Sequence, residues 1–201
     1  MDRLHALILL TACLTYAPGC DGEPPAPPPS ASRVEAVTAS GPDEDAIAGF
    51  CDVHHDGGHG PAFELPALQP DRPRPADAGP RWLNVWATWC KPCVHELPML
   101  QQWAPRLSAD AAGASVQFLN VDADADAVAT FRAEHEGVPD SMRLAEPERL
   151  TDWLATLGLD PGAGLPVHVF VGGDDRIRCV RAGAVTDDHY PLVSRLLQAG
   201  D

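Results

Sequence analysis

The stretch Trp86–Cys93, WATWCKPC, sets two cysteines two residues apart behind two tryptophans. Three chemistries fit that spacing: half of a zinc knuckle, a static staple, or a dithiol that exchanges disulfides. A zinc knuckle needs a second Cys/His pair at ligand spacing. A thiol attacks only as thiolate, and a free cysteine ionises at about pH 8.5. If a helix starts at Cys90, its unsatisfied N–H groups and dipole favour the anion and make Cys90 an activated, exposed nucleophile. Cys93, one turn on, is placed to resolve a mixed disulfide by attacking back. Pro92 removes a donor and stiffens the turn between the two sulfurs.

Two other clusters carry ligand-type side chains. Cys51–His59, CDVHHDGGH, gathers one cysteine with His54, His55 and His59. Sulfur and imidazole suit copper or zinc. The same stretch also reads as a glycine-rich polar loop with solvated histidines, and no metal is expected; Cys51, His54, His55 and His59 are the residues that would hold one. Asp122, Asp124 and Asp126 alternate, but the glycine and glutamate of a calcium loop are missing. These acids fit a helix N-terminus, where they complement the dipole.

The formal net charge is −15 and no Lys/Arg-rich run interrupts it, so nucleic acid is not an expected partner. The N-terminus reads MDRLHALILLTACLTYAPGC, with an apolar run too short to span a bilayer but suited to a signal core. Ala17 and Gly19 before Cys20 resemble the lipobox of bacterial lipoproteins, whose cysteine is lipidated after cleavage; an ordinary secretory signal is the alternative. Residues 1–19 are thus expected to be a signal peptide. Residues 20–48, rich in Pro, Ser, Ala and acids, are expected to be a disordered linker that spaces residues 49–201 from the membrane. With Cys13 and Cys20 so assigned, Cys51 and Cys179 remain. An oxidising compartment favours their pairing as a structural disulfide, and two buried free thiols are the alternative.

The pattern around these residues alternates between strand and helix. Phe63–Leu65 suggests an opening strand, and 69–80 a proline-rich loop. Residues 81–86 and 115–121 read as buried strands, with a helix from Cys90 to Leu107 bent near Pro98 and another over 124–136 ending at Gly137. A further helix opens at Pro147 and stops before Gly158. Residues 167–171 and 177–180 form a hairpin about 172–175, and Thr186 caps a last helix toward Gln198. This order describes an α/β fold with a central mixed sheet flanked by helices and an N-terminal extension.

Together these features resemble the thioredoxin superfamily, and within it the exported, membrane-anchored TlpA/ResA-like thiol–disulfide oxidoreductases. WATWCKPC is similar to the family's W-x-x-W-C-x-x-C, Pro98 to its kinking proline, Leu165-Pro166 to its cis-proline loop, and Arg181–Val185 to its closing glycine turn. The resemblance implies a thioredoxin-like fold with Cys90 attacking and Cys93 resolving. It implies a cis Leu165–Pro166 bond in a loop that faces the cysteines and pairs with the client. Asn84 stands where cytoplasmic thioredoxins have an aspartate base, and the TlpA/ResA-like branch similarly has asparagine there and a glutamate at Glu96. Glu96, one turn from Cys93, is expected to modulate thiol ionisation or else to be a solvated carboxylate. Trp89 is expected to shield the pair, and His168 to be structural.

The resemblance further implies a reductase of protein disulfides, drawing electrons from a membrane donor and holding them in the Cys90–Cys93 pair with no dissociable cofactor. Its expected place is the bacterial cell envelope or periplasm. A disulfide oxidase or isomerase, or a copper-binding chaperone on the same fold, are the alternatives.

Overall fold

The computed structural model describes residues 42–56, 59–70, 79–111 and 113–198 of the 201-residue chain. The expected signal segment, Cys20 and the linker up to residue 41 lie outside the described residues. The end of that linker is corrected. Helix α1 spans Pro42–Phe50, beginning with proline at its first position, where the missing N–H costs nothing. Ile47 and Phe50 are buried, so this turn of chain belongs to the core rather than to a solvated spacer. Among the described residues no helix is long and apolar enough to cross a membrane.

Six strands form one sheet: β1 (Val53–His54), β2 (Arg81–Trp86), β3 (Ser115–Asn120), β4 (Met142–Arg143), β5 (Val167–Val171) and β6 (Ile177–Ala182), in the order β1-β6-β5-β2-β3-β4. β2 pairs with β3, and β3 with β4, in parallel, whereas β5 is antiparallel to both β2 and β6. Every residue of β2 and β5 is buried, as expected of central strands covered on both faces. The helices are α2 (Lys91–Asp110), α3 (Ala125–Glu134), α4 (Leu150–Thr156) and α5 (Tyr190–Gln198). Short 3₁₀ turns at Pro147–Arg149 and Asp187–His189 lead into the last two.

β2 divides its side chains between two buried layers. Trp82 packs against Trp103 of α2, with ring centroids 6.0 Å apart, and Trp103 meets Tyr190 of α5 edge-on at 5.0 Å. Phe50 closes the same layer against Phe170 at 6.0 Å. Helices α1, α2 and α5 therefore share the sheet face that carries Trp82 and Asn84.

The expected strand at Phe63–Leu65 does not form. Phe63 is buried and its N–H donates to the Asp175 carbonyl, but pairing is limited to a single bridge between Ala62 and Arg176. Pro61 and Pro66 flank the stretch and remove the donors a ladder would need. α2 also runs further than expected, continuing across Pro98 and Pro105 to Asp110.

Candidate active site

β2 delivers the chain to the cysteine pair. After Trp86, Cys90 caps α2 with an extended backbone, and Pro92 occupies the first turn. Cys90 and Cys93 are joined as a disulfide with Cα atoms 5.3 Å apart. Cys90 Sγ accepts the N–H of Cys93 at 3.3 Å, so one orphan donor of the helix start points at this sulfur. The same interaction in the reduced state favours a thiolate there. Cys90 is not openly exposed as expected: it is 5% accessible, Cys93 is fully buried, and Trp89 beside them is 68% exposed. The cap position turns Cys90 back onto the core and leaves the preceding indole in solvent.

The Leu165–Pro166 bond is cis. Val85 pairs with Val167, and β5 runs antiparallel to β2, which puts Pro166 at the sheet end from which β2 runs on to the cysteines. The Pro166 carbonyl accepts the N–H of Gly183 at 2.8 Å. Gly183 has φ +118°, a conformation that side chains with a Cβ rarely adopt, so a glycine at this turn has a backbone reason.

Beneath the cysteine pair lies a polar cluster. Asn84 and His168 are direct partners across β2 and β5, so their side chains share a face, and α2 sets Glu96 against them. Asn84 Nδ2 donates to Glu96 Oε1 at 2.8 Å, and the Val185 N–H to Oε2 at 2.9 Å. Glu96 is therefore buried and bonded, not a solvated helix carboxylate. Burial raises its pKa from 4.5 to about 7, against the opposing pull of Val185, Asn84 and Arg181. A carboxyl that changes charge near neutral pH, one helical turn from Cys93, is suited to take or return a proton there.

Sequence reasoning missed three members of this site. His168, expected to be only structural, accepts a hydrogen bond from Trp82 Nε1 at 3.2 Å and approaches Glu96 at 3.5 Å. Asp122, weighed only for calcium and helix capping, is buried and anchors the loop before the cysteines. It accepts from Thr88 N at 2.9 Å and from Thr88 Oγ1 at 2.8 Å, with Asn120 Nδ2 at 2.7 Å. Arg143 then donates to the Asp122 carbonyl at 2.9 Å. The signal for His168 was its place two residues after Pro166, on the face of β5 shared with Asn84.

At the far edge of the sheet Cys51 and Cys179 form a second disulfide, with Cα atoms 5.5 Å apart and 128 residues between them in sequence. This sulfur is unavailable as a thiolate ligand while oxidised. His54 Nδ1 lies 3.1 Å from Asp56 Oδ1, but among the described residues no three Cys, His, Asp or Glu side chains converge to hold a metal.

No protein-family model matches the chain. It is 31% identical over 78 residues to the thioredoxin-like protein YneN of Bacillus subtilis, a stretch that is 38% of this chain and 46% of that protein. The chain thus spans about half the length of the curated relative it matches. Among solved structures it is similar to a thiol-disulfide isomerase from Corynebacterium glutamicum, at 19% identity and TM-score 0.55 over 71% of this chain and 99% of that one. It is likewise similar to a putative thiol:disulfide interchange protein DsbE from Chlorobium tepidum, at 21% identity and TM-score 0.50 over 74% and 100%. With its mixed six-stranded sheet, its flanking helices and a cysteine pair at the first turn of α2, this chain has a thioredoxin-like fold.

Proposed function

We propose that this chain is an exported thiol–disulfide oxidoreductase that reduces disulfides in client proteins. The observation that carries the reading is the Cys90–Cys93 disulfide at the start of α2, with Cys90 Sγ accepting a helix N–H. In the reduced protein the Cys90 thiolate attacks one sulfur of a client disulfide. A Cys90–client bond forms, the client S–S bond breaks, and one client thiolate leaves. Cys93 gives up its proton to Glu96, the buried carboxyl one helical turn along α2, and its thiolate attacks Cys90 Sγ. The Cys90–Cys93 bond forms and the second client thiolate departs. Two electrons pass from the pair to the client, and a dithiol donor at the membrane restores them.

The reductase direction rests on the resemblance of WATWCKPC, Asn84 and Glu96 to the TlpA/ResA-like branch. Export, lipidation at Cys20 and membrane attachment rest on the N-terminal sequence. The Leu165–Pro166 loop before β5 supplies the backbone that meets the client, and Trp89, next to Cys90 in sequence, offers an exposed apolar contact. The alternatives of oxidase and isomerase use the same residues and differ in reduction potential: below about −200 mV favours a reductant, near −120 mV an oxidant.

Trapping with Cys93→Ser is the decisive experiment. It should strand clients on Cys90 as mixed disulfides that reductant releases, with none recovered on Cys90→Ser. Absence of any covalent client would overturn protein-disulfide exchange.

A further inference from the structure

His168 is a buried titratable group that the exchange steps above do not use. Its ring is fully enclosed on β5, directly across from Asn84. Nδ1 is 3.2 Å from Trp82 Nε1 and 3.4 Å from Asn84 Nδ2. An indole N–H and an amide NH₂ can only donate, so Nδ1 must be the accepting nitrogen and the ring proton sits on Nε2. Nε2 points to Glu96 Oε1 at 3.5 Å, and among the described residues it has no partner in good hydrogen-bond geometry.

We propose, on the exchange reading above, that His168 is a positioning residue for Glu96: its neutral ring, held through Nδ1 by Trp82 and Asn84, presents Nε2–H to the carboxylate that forms when Glu96 releases its proton. The anion then has three N–H groups around it, from Asn84, Val185 and His168, and no water is needed to stabilise it. The proton affinity of Glu96 is in this way set by a residue two positions after Pro166.

Each element packed on the cluster contributes a group. β6 supplies Arg181, the cross-strand partner of His168, whose charge favours the Glu96 anion and disfavours a protonated ring. The turn after β6 supplies the backbone of Gly183, whose interaction with the ring favours its protonated form, and the 187–189 turn supplies His189, which opposes a second positive charge. Burial acts with Arg181 and His189 to push His168 down from 6.5 to about 3, so the ring stays neutral wherever Glu96 titrates. A competing role is packing alone, since the ring lies 5.5 Å from Trp82 and 6.4 Å from Phe170.

Carboxyl-carbon NMR of the oxidised, glutamate-labelled chain separates the two, with Glu96→Gln assigning the signal. We expect His168→Phe to raise the Glu96 midpoint by about one pH unit, as loss of a hydrogen bond to the charged form requires. His168→Gln, which can accept from Trp82 and donate to Glu96, should restore most of it. An unmoved midpoint in folded His168→Phe overturns the proposal. If that variant does not fold, nitrogen NMR of the wild-type ring decides: Nε2 protonated, Nδ1 bare and an Nε2 signal that follows the Glu96 titration support it. A proton on Nδ1, or an Nε2 signal blind to Glu96, overturns it. These titrations need no client and no turnover, so they hold or fail independently of the trapping result. In the reduced protein the pH–rate profile of exchange should shift with the carboxyl midpoint; a shifted carboxyl with an unshifted profile also overturns the role in exchange.

Discussion

The two disulfides among the described residues differ in nearly every respect of their surroundings. Cys90–Cys93 closes three residues of sequence at a helix start, next to an exposed indole and above a buried carboxyl that titrates near neutrality. Cys51–Cys179 closes 128 residues and fastens the segment after α1 to β6. Beside it Asp52 Oδ2 accepts the Ala182 N–H at 2.7 Å, and Asp52 N–H donates to the Val180 carbonyl at 2.9 Å, so that junction is also held by backbone. In the chain-entropy account, cross-linking the longer loop stabilises the fold by about 5 kcal/mol and the short one by about 2 kcal/mol. On the proposed function, one bond is opened and reformed while the other stays closed.

Breaking each bond in turn is the sharpest test of that contrast. Cys90→Ser should drop dithiol–disulfide exchange to the uncatalysed background and cost the oxidised protein only about 2 kcal/mol of stability. Cys51→Ala with Cys179→Ala should cost about 5 kcal/mol in denaturant unfolding yet keep the exchange rate per folded molecule. Exchange lost with the second pair would mean that both disulfides belong to the active centre.

A smaller effect separates the two ends by pH. Glu96, raised from 4.5 to about 7, stabilises the fold below pH 4.5, and that contribution is lost as pH rises through about 7. His168, lowered from 6.5 to about 3, acts oppositely: stability is lost as pH falls from 6.5 through about 3. The two slopes cancel between pH 4.5 and 6.5, which gives a plateau in the denaturant midpoint. Glu96→Gln should convert the plateau into a rise up to pH 6.5, whereas the Cys51–Cys179 variants should retain it. The smallest effect is expected at Trp89, 68% exposed. Trp89→Ala should leave stability within about 0.5 kcal/mol and weaken only client capture, read as a higher KM.

Much of the site was legible because its signals are local. WATWCKPC announces a strand, a turn and a capped helix within eight residues, and the βαβ order follows from hydrophobic runs and their punctuation. Leu165-Pro166 was recognisable by resemblance, and the chain there is cis. α1 was misread because PDEDAIAGF is mostly polar or small, and only Ile47 and Phe50 reveal a buried face. β1 and β4 have two residues each, too short for any periodic pattern to register. Phe63 looked like a strand residue because it is buried, but burial in a loop and burial in a ladder leave the same trace in composition.

The amino-acid order alone determined the spacing of Cys90 and Cys93, the helix capped by the first of them, and the proline-rich, acidic composition of residues 20–48. Those properties depend on neighbours within a turn or two of chain. Only the folded sheet decided that Asn84 and His168 stand opposite each other, that Glu96 is enclosed between them, and that Asp122 ties down Thr88. The proton affinity of a carboxyl depends on how much water reaches it and which N–H groups surround it. Here Asn84 and His168 lie 84 residues apart in sequence, and Glu96 and Val185 lie 89 apart, so no local pattern encodes their meeting.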